Sequence, residues 1–175
     1  MGLNIPVVRA PDSAEAYQTD FEHLVQREAE RLYRVALAIV DDPGEAEDAM
    51  QDTVVTAWRH RASLRGFANP TAWLTRVCIN NAIRRRRGLV RRSHWLSGSF
   101  SGAGRPEPHD LCGELLDFRR AYQTLSPKQR ALVALHIGDG YSLSECAQIL
   151  GCRIGTAQSH LARARAKLRR VMTDG

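Results

Sequence analysis

The sequence predicts an all-α protein made of two small helical domains joined by a flexible linker. Apolar residues recur at steps of three and four along most of the chain, and no run alternates apolar with polar as a half-buried strand would. Glycine-rich phosphate loops of the GxGxxG or GxxxxGK type are absent. A Ser-, Gly- and Pro-rich stretch, Gly88–Cys112, which contains SGSFSGAGRPEP, interrupts the helical pattern and divides it in two. With 43% apolar residues in 175, the chain has enough material for a real core.

Residues 1–19 lack periodicity and contain Pro6 and Pro11, which reads as a loose arm. From Asp20, a candidate cap, Phe21, Leu24, Val25, Leu32, Ala36 and Ile39 line one helix face. Asp41-Asp42-Pro43-Gly44 stops that helix and starts the next. Asp42 can cap it, Pro43 fits its first turn and Glu45 stands three residues on. Ala46, Ala49, Met50, Thr53, Val54, Ala57 and Trp58 carry the apolar stripe to about Arg61. A loop, Arg65–Asn69, leads through Pro70 to a third helix from Thr71 to about Arg87. Trp73, Val77 and Cys78 face inward there, and Arg76, Asn80, Arg84 and Arg87 form a polar stripe. Beyond the linker a helix spans Gly113–Thr124. Ser126-Pro127-Lys128-Gln129 is a capping box for a further helix to Ile137, and Gly138-Asp139-Gly140 ends it.

The C-terminal stretch is the most explicit. Ser142-Leu143-Ser144-Glu145 is a second capping box, opening a short helix with Ala147 and Leu150 at apolar spacing. Gly151 supplies a turn. In the helix that follows, Ile154, Ala157, Leu161, Ala164, Leu168 and Val171 make one buried stripe, and Thr156, Gln158, Ser159, His160, Arg163, Lys167 and Arg170 occupy the rest. This is the pattern of a helix-turn-helix, with amide and hydroxyl groups for base edges in the major groove and cations for phosphates. Six cations from Arg153 to Arg170 run without an intervening acid, unlike the mixed signs of an ordinary solvated face.

The formal charge is +6, and its layout is uneven. Residues 1–87 hold twelve arginines and twelve acids, whereas residues 88–175 hold thirteen cations and seven acids and so carry the whole excess. Asp41, Asp42, Glu45, Glu47, Asp48 and Asp52 have no cation among them, and Arg84–Arg87, Arg91 and Arg92 have no acid. An acidic and a basic patch on one small domain point to two partners, the basic one meeting nucleic acid. Cys78, Cys112, Cys146 and Cys152 show no CxxC pairing. His109 and Cys112 lack a second ligand pair, so buried reduced thiols are expected and a metal is not. No charged-then-apolar leader and no apolar run near the ~18 residues of a membrane span is present, so membrane insertion is not expected and a cytoplasmic protein is.

Laid side by side, these pieces resemble a bacterial RNA polymerase sigma factor of the extracytoplasmic-function (ECF) group. FEHLVQREAERLYRVAL (Phe21–Leu37) is similar to the first helix of sigma region two, and DDPGEAEDAMQDTVVTAW (Asp41–Trp58) to the segment that docks on the polymerase β′ clamp helices. NPTAWLTRVCINNAIRRRR (Asn69–Arg87) is similar to the part that melts and reads the minus-ten element. Leu125–Leu168 is similar to region four, which reads the minus-thirty-five element. The resemblance implies an arm at 1–19, region two at 20–88, a linker at 89–112 and region four at 113–175. The linker stands in place of a further domain found in larger sigma factors and would thread towards the polymerase active-site and RNA-exit channels.

By position in the motifs, the resemblance assigns Asp41, Glu45, Asp48, Gln51 and Asp52 to core polymerase. It assigns Arg65, Phe67, Asn69, Arg76, Asn80, Arg84 and Arg87 to the minus-ten element. Arg153, Thr156, Gln158, Ser159, His160, Arg163 and Lys167 fall to the minus-thirty-five element. The implied partners are core RNA polymerase (β′ clamp helices and β flap), promoter DNA and an anti-sigma factor. No cofactor, metal or catalytic residue is expected. Arg153 stands where a serine often caps the recognition helix, and Ala157, Gln158 and His160 also depart from the commoner residues, which points to a promoter preference of its own. Two other classes compete. A stand-alone helix-turn-helix regulator would leave the acidic segment without a purpose. A nucleic-acid enzyme would need converging carboxylates or a nucleophile with its base, and the carboxylates here lie in one helical segment with no histidine arranged among them.

Overall fold

Helix α1 (Ala14–Val40) starts six residues before Asp20, so Asp20 lies inside the helix and does not cap it. The computed structural model describes residues 14–64, 66–96 and 113–173. The outer part of the arm, Arg65, the Ser/Gly/Pro run and the His109/Cys112 pair lie outside the described residues. All regular structure described is helical, and the chain divides into two units, Met1–Ala82 and Ile83–Gly175.

In the first unit, α1 buries Phe21, Leu32, Val35, Ala36, Ile39 and Val40. It ends at Asp41, whose φ of 58° puts it in the left-handed region that aspartate tolerates better than most residues. Helix α2 (Pro43–Arg59) starts as expected, with Asp42 accepting from the Glu45 N–H at 3.0 Å and Pro43 in the first turn. Its buried face is Ala46, Ala49, Thr53 and Ala57, small residues that let α1 and α2 pack closely. The expected stripe is narrower than drawn: Trp58 is 39% exposed, packed edge-on to Phe21 with the Arg61 guanidinium 4.1 Å above its ring. After a break at His60, a single turn, α3 (Arg61–Leu64), buries Leu64.

Helix α4 spans Pro70–Leu96, nine residues past the expected end at Arg87. Residues 88–96 are therefore helix and not linker. Gly88 costs about 1 kcal/mol relative to alanine in a helix, which is too little to break one that is otherwise well supported. In the first unit α4 buries Leu74, Cys78, Ile79 and Ala82. Its polar ties there are specific. Asn81 Nδ2 donates to Thr53 Oγ1 (3.1 Å), and the Cys78 thiol donates to the Leu32 carbonyl (3.5 Å).

A charged network links α4 to α1. Glu28 is buried and accepts from Arg27 Nε (3.1 Å) and Arg31 Nε (2.9 Å), while Arg31 also donates to Thr75 Oγ1 (2.7 Å). Burial works to raise the Glu28 pKa, but Arg31 and Arg27 outweigh it and hold the carboxyl below its ordinary range.

The second unit contains α5 (Gly113–Gln123), α6 (Pro127–Val133), a π-helical turn (Ala134–Gly138), α7 (Leu143–Leu150) and α8 (Ile154–Thr173). Both expected capping boxes are present, Ser126 with Gln129 and Ser142 with Glu145. The π turn ends the α6 segment through Asp139 N–H donating to the Ala134 carbonyl, and His136 Nδ1 donates to the Tyr141 carbonyl at 2.6 Å. Ala121, Leu125, Ala164 and Leu168 form a core cluster between α5 and α8. The α8 stripe holds for Ala157, Leu161, Ala164 and Leu168. Ile154 is a correction, being 50% exposed in the first turn, while the Val171 side chain lies outside the described residues.

Cys78, Cys146 and Cys152 are free thiols. Burial pushes Cys78 up to about 12; burial together with the Glu145 carboxylate takes Cys146 up to about 11. Both are packing groups, unreactive at neutral pH.

Candidate polymerase and nucleic-acid interfaces

The acidic segment becomes a ridge once α2 is built. Asp48 and Gln51 are exposed at positions i and i+3, turned away from the buried face of Ala49 and Thr53, and Asp52, at i+4, is half-buried at its edge. The same ridge continues through Val55, 49% exposed, and Trp58, giving an acidic start and an apolar end. Sequence periodicity places Trp58 in the buried stripe, because an apolar residue beside the stripe reads as part of it, and does not single out Val55. Glu45 is half-buried in the first turn. Asp41 belongs to the corner between α1 and α2, where its backbone conformation gives it a structural role.

The candidate minus-ten residues gather around the start of α4 and along its face. Phe67 and Trp73 rings lie 5.5 Å apart, and His60 stands 5.6 Å from Trp73, a half-exposed aromatic group suited to stacking with a base. Asn69 Oδ1 accepts from the Ala72 N–H at 2.8 Å and so caps α4. Arg76 is half-buried, and Asn80, Arg84 and Arg87 are exposed along the helix. Arg65 lies outside the described residues. His60 was not singled out from sequence, since only folding brings it to Trp73.

In the second unit α7 ends at Gly151, whose φ of 63° gives the left-handed cap a glycine adopts without strain. Arg153 is exposed, and its carbonyl receives the N–H groups of Thr156 and Ala157 to begin α8. Thr156, Ser159 and Arg163 are exposed, with His160 half-buried beside them. Ser159 donates its hydroxyl to the Gly155 carbonyl (2.9 Å) and keeps its lone pairs. Gln158 is exposed but lies about 200° around the helix from Thr156, so the expected set is not one face.

Lys167 is exposed, and its ammonium donates to the Thr124 carbonyl at 2.9 Å, at the end of α5. Lys167→Gln is accordingly expected to lower the melting temperature of the second unit while leaving the salt slope of duplex binding unchanged. A slope shallower by about 1 would instead mark a phosphate contact.

Residues 24–92 match the Sigma-70 region 2 family, and residues 115–168 match Sigma-70, region 4. The first match ends inside α4, beyond Gly88. The ECF RNA polymerase sigma factor SigM of Mycobacterium tuberculosis is 32% identical over 153 residues, covering 87% of this chain and 76% of that protein. SigL of the same organism is 31% identical over 174 residues, covering 96% and 97%. The chain belongs to the ECF RNA polymerase sigma factors. Two solved structures share the fold. The sigma factor RpoE of Bartonella quintana, in complex with the anti-sigma factor NepR, matches with TM-score 0.69 and 30% identity over 89% of this chain and 98% of that one. CnrH, solved with the cytosolic domain of CnrY, matches in fold with TM-score 0.60 at 23% identity, covering 92% and 94%.

As an ECF sigma factor, the chain serves promoter recognition and transcription initiation, the work of a regulatory subunit. Among the described residues no helix is long and apolar enough to cross a membrane.

Proposed function

We propose that this sigma factor docks on the β′ clamp helices of core polymerase through the α2 ridge, with the second unit meeting the β flap. It reads the minus-thirty-five duplex with α8, and the minus-ten element with the α3–α4 loop and the exposed face of α4, where it holds unstacked bases of the melted strand. The observation that carries the reading is the separation of charge between helices α2 and α4. The α2 ridge offers Asp48 and Asp52, while α4 has seven arginines and no carboxylate along 27 residues. One surface suits a basic protein partner and the other suits nucleic acid. The Bartonella relative is held by an anti-sigma factor, and an anti-sigma protein is placed among the partners of this chain on that basis. The site of action is the nucleoid, inside the cell.

Paired substitutions test the division of labour. Asn80→Ala is expected to spare binding to the minus-thirty-five duplex and to weaken open-complex formation by tenfold or more, the effect of losing a contact of about 1–3 kcal/mol. His160→Ala is expected to weaken duplex binding while a pre-melted promoter stays largely usable. Equal losses on duplex and pre-melted templates for both variants would contradict the assignment.

A further inference from the structure

The first two turns of α4 are tied to α1 by directed hydrogen bonds. Glu28 on α1 is 8% exposed and Thr75 on α4 is 0% exposed. Arg31 bridges them, its Nε donating to Glu28 Oε2 (2.9 Å) and a terminal nitrogen to Thr75 Oγ1 (2.7 Å). Arg27 repeats the pattern one turn earlier, with Nε on Glu28 Oε1 (3.1 Å) and a terminal nitrogen on Thr71 Oγ1 (3.3 Å). Both hydroxyls also donate, Thr75 to the Thr71 carbonyl at 2.7 Å and Thr71 to Glu28 Oε1 at 3.4 Å. Each threonine thus uses its hydroxyl as donor and acceptor at once, and one carboxylate joins the set. A buried ion pair is a poor source of net stability, and its best-attested use is to fix one register.

The register in question is the rotation of α4 about its own axis. At about 100° per residue, Trp73 stands about 180° from the midpoint of the two threonines, Asn80 about 160° and Arg76 about 120°. The clamp therefore holds α4 from behind the face assigned to the minus-ten element. Leu74, Cys78 and Ala82 pack on the buried side, but apolar contact is non-directional and leaves rotation soft. The ties of Cys78 and Asn81 act further along the helix, whereas Trp73 and Arg76 lie in the turns that the clamp holds. A rotation of about 20° carries an atom about 5–6 Å from the axis by about 2 Å, more than a hydrogen bond to a base tolerates.

We propose that Glu28 is a positioning residue for minus-ten selectivity. Acting through Arg27, Arg31, Thr71 and Thr75, it sets the angle at which α4 presents Trp73, Arg76 and Asn80 to the melted strand. This rests on the reading that α4 serves the minus-ten element. The clamp acts from the side away from the strand, so it governs the choice among minus-ten sequences and leaves the minus-thirty-five duplex alone.

The test uses the full chain bound to core polymerase and fork-junction DNAs whose minus-ten element is single-stranded. The preferred element is first selected from a randomised pool, and each of its bases is then changed in turn. The readout is the ratio of affinities for matched and changed forks, which does not depend on the fraction of chain that is folded. Thr75→Val keeps the side-chain shape and removes both hydroxyl bonds. It should lower the ratio at one position or more by about tenfold, the discrimination carried by one base contact. Thr75→Ser, which keeps the hydroxyl, should restore the ratio, and Glu28→Gln should lower it as Thr75→Val does. Thr71→Val, at a half-buried position, should act in the same direction at less risk to the fold. The Thr71 and Thr75 variants decide the matter whether or not Glu28→Gln folds. Equal loss on matched and changed forks, with the ratio kept, marks a merely structural network and overturns the proposal. A ratio lost equally in Thr75→Val and Thr75→Ser overturns it as well. Asn80→Ala separates the two layers of the argument. If it lowers the ratio and the threonine variants do not, the clamp alone fails. If it too leaves the ratio unchanged, the minus-ten reading beneath the clamp fails.

Discussion

Reversing Asp48 and Asp52 to lysine is expected to abolish co-purification of the chain with core polymerase. Both carboxylates stand on the ridge of α2, one turn apart, Asp48 exposed and Asp52 half-buried, and neither belongs to the buried face of Ala46, Ala49, Thr53 and Ala57. Placing like charges across a protein interface costs several kcal/mol. Two reversals on one ridge therefore correspond to a loss of a hundredfold or more in affinity. Val55→Ala, further along the ridge, removes apolar area only and should cost less. The check is competition with the unsubstituted chain for core polymerase, alongside a helicity measurement on the free protein. Normal competition by the double variant would show that the docking face lies elsewhere on the first unit.

The largest expected effect on stability is that of Arg130→Ala, about 3 kcal/mol in the second unit. Arg130 is 0% exposed, an unusual position for a guanidinium. Its Nε donates to the Leu125 carbonyl at 3.3 Å, a terminal nitrogen donates to the Gln123 carbonyl at 3.1 Å, and the group lies 5.1 Å from the Tyr122 ring. Thr124 Oγ1 covers the Ala121 carbonyl, and Lys167 covers that of Thr124. Orphaned carbonyls at the end of α5 are thus met by a set of donors in which Arg130 supplies two. Alanine leaves both carbonyls short of a donor and opens a cavity. Hydrogen exchange of α8 amides in the full chain would register the change, with α1 amides as the internal reference. A loss below about 1 kcal/mol would mean that water replaces the guanidinium at little cost.

Parts of this architecture are legible in the sequence because their chemistry is local. Asp42, Ser126 and Ser142 are found by their spacing to Glu45, Gln129 and Glu145, and each cap forms as read. The buried stripe from Ala157 to Leu168 follows from helical period alone. Other features depend on which elements meet. Glu28, Arg31 and Thr75 read as surface residues until α1 and α4 pack, and Arg130 reads as a solvated cation beside a capping box. Ile154 has the right period but sits in the first turn of α8, where its side chain stays half exposed. Lys167 fits the cationic pattern of the recognition helix, yet its ammonium is held by the end of α5. At Gly88 composition is misleading, because a glycine shortly before a Ser-, Gly- and Pro-rich run reads as a helix end although the backbone continues to Leu96.

The central claim is that the chain gives core polymerase its choice of promoter. Run-off transcription tests it most directly, using core polymerase and a template library randomised across the minus-thirty-five and minus-ten elements, with transcripts read by sequencing. The account predicts that transcripts appear only when the chain is added and that they start a fixed distance downstream of two enriched elements. Asn80→Ala should relax the choice at the minus-ten element and His160→Ala at the minus-thirty-five element. Sequence-specific binding of the free chain to duplex DNA, with no transcript when core polymerase is added, would contradict it.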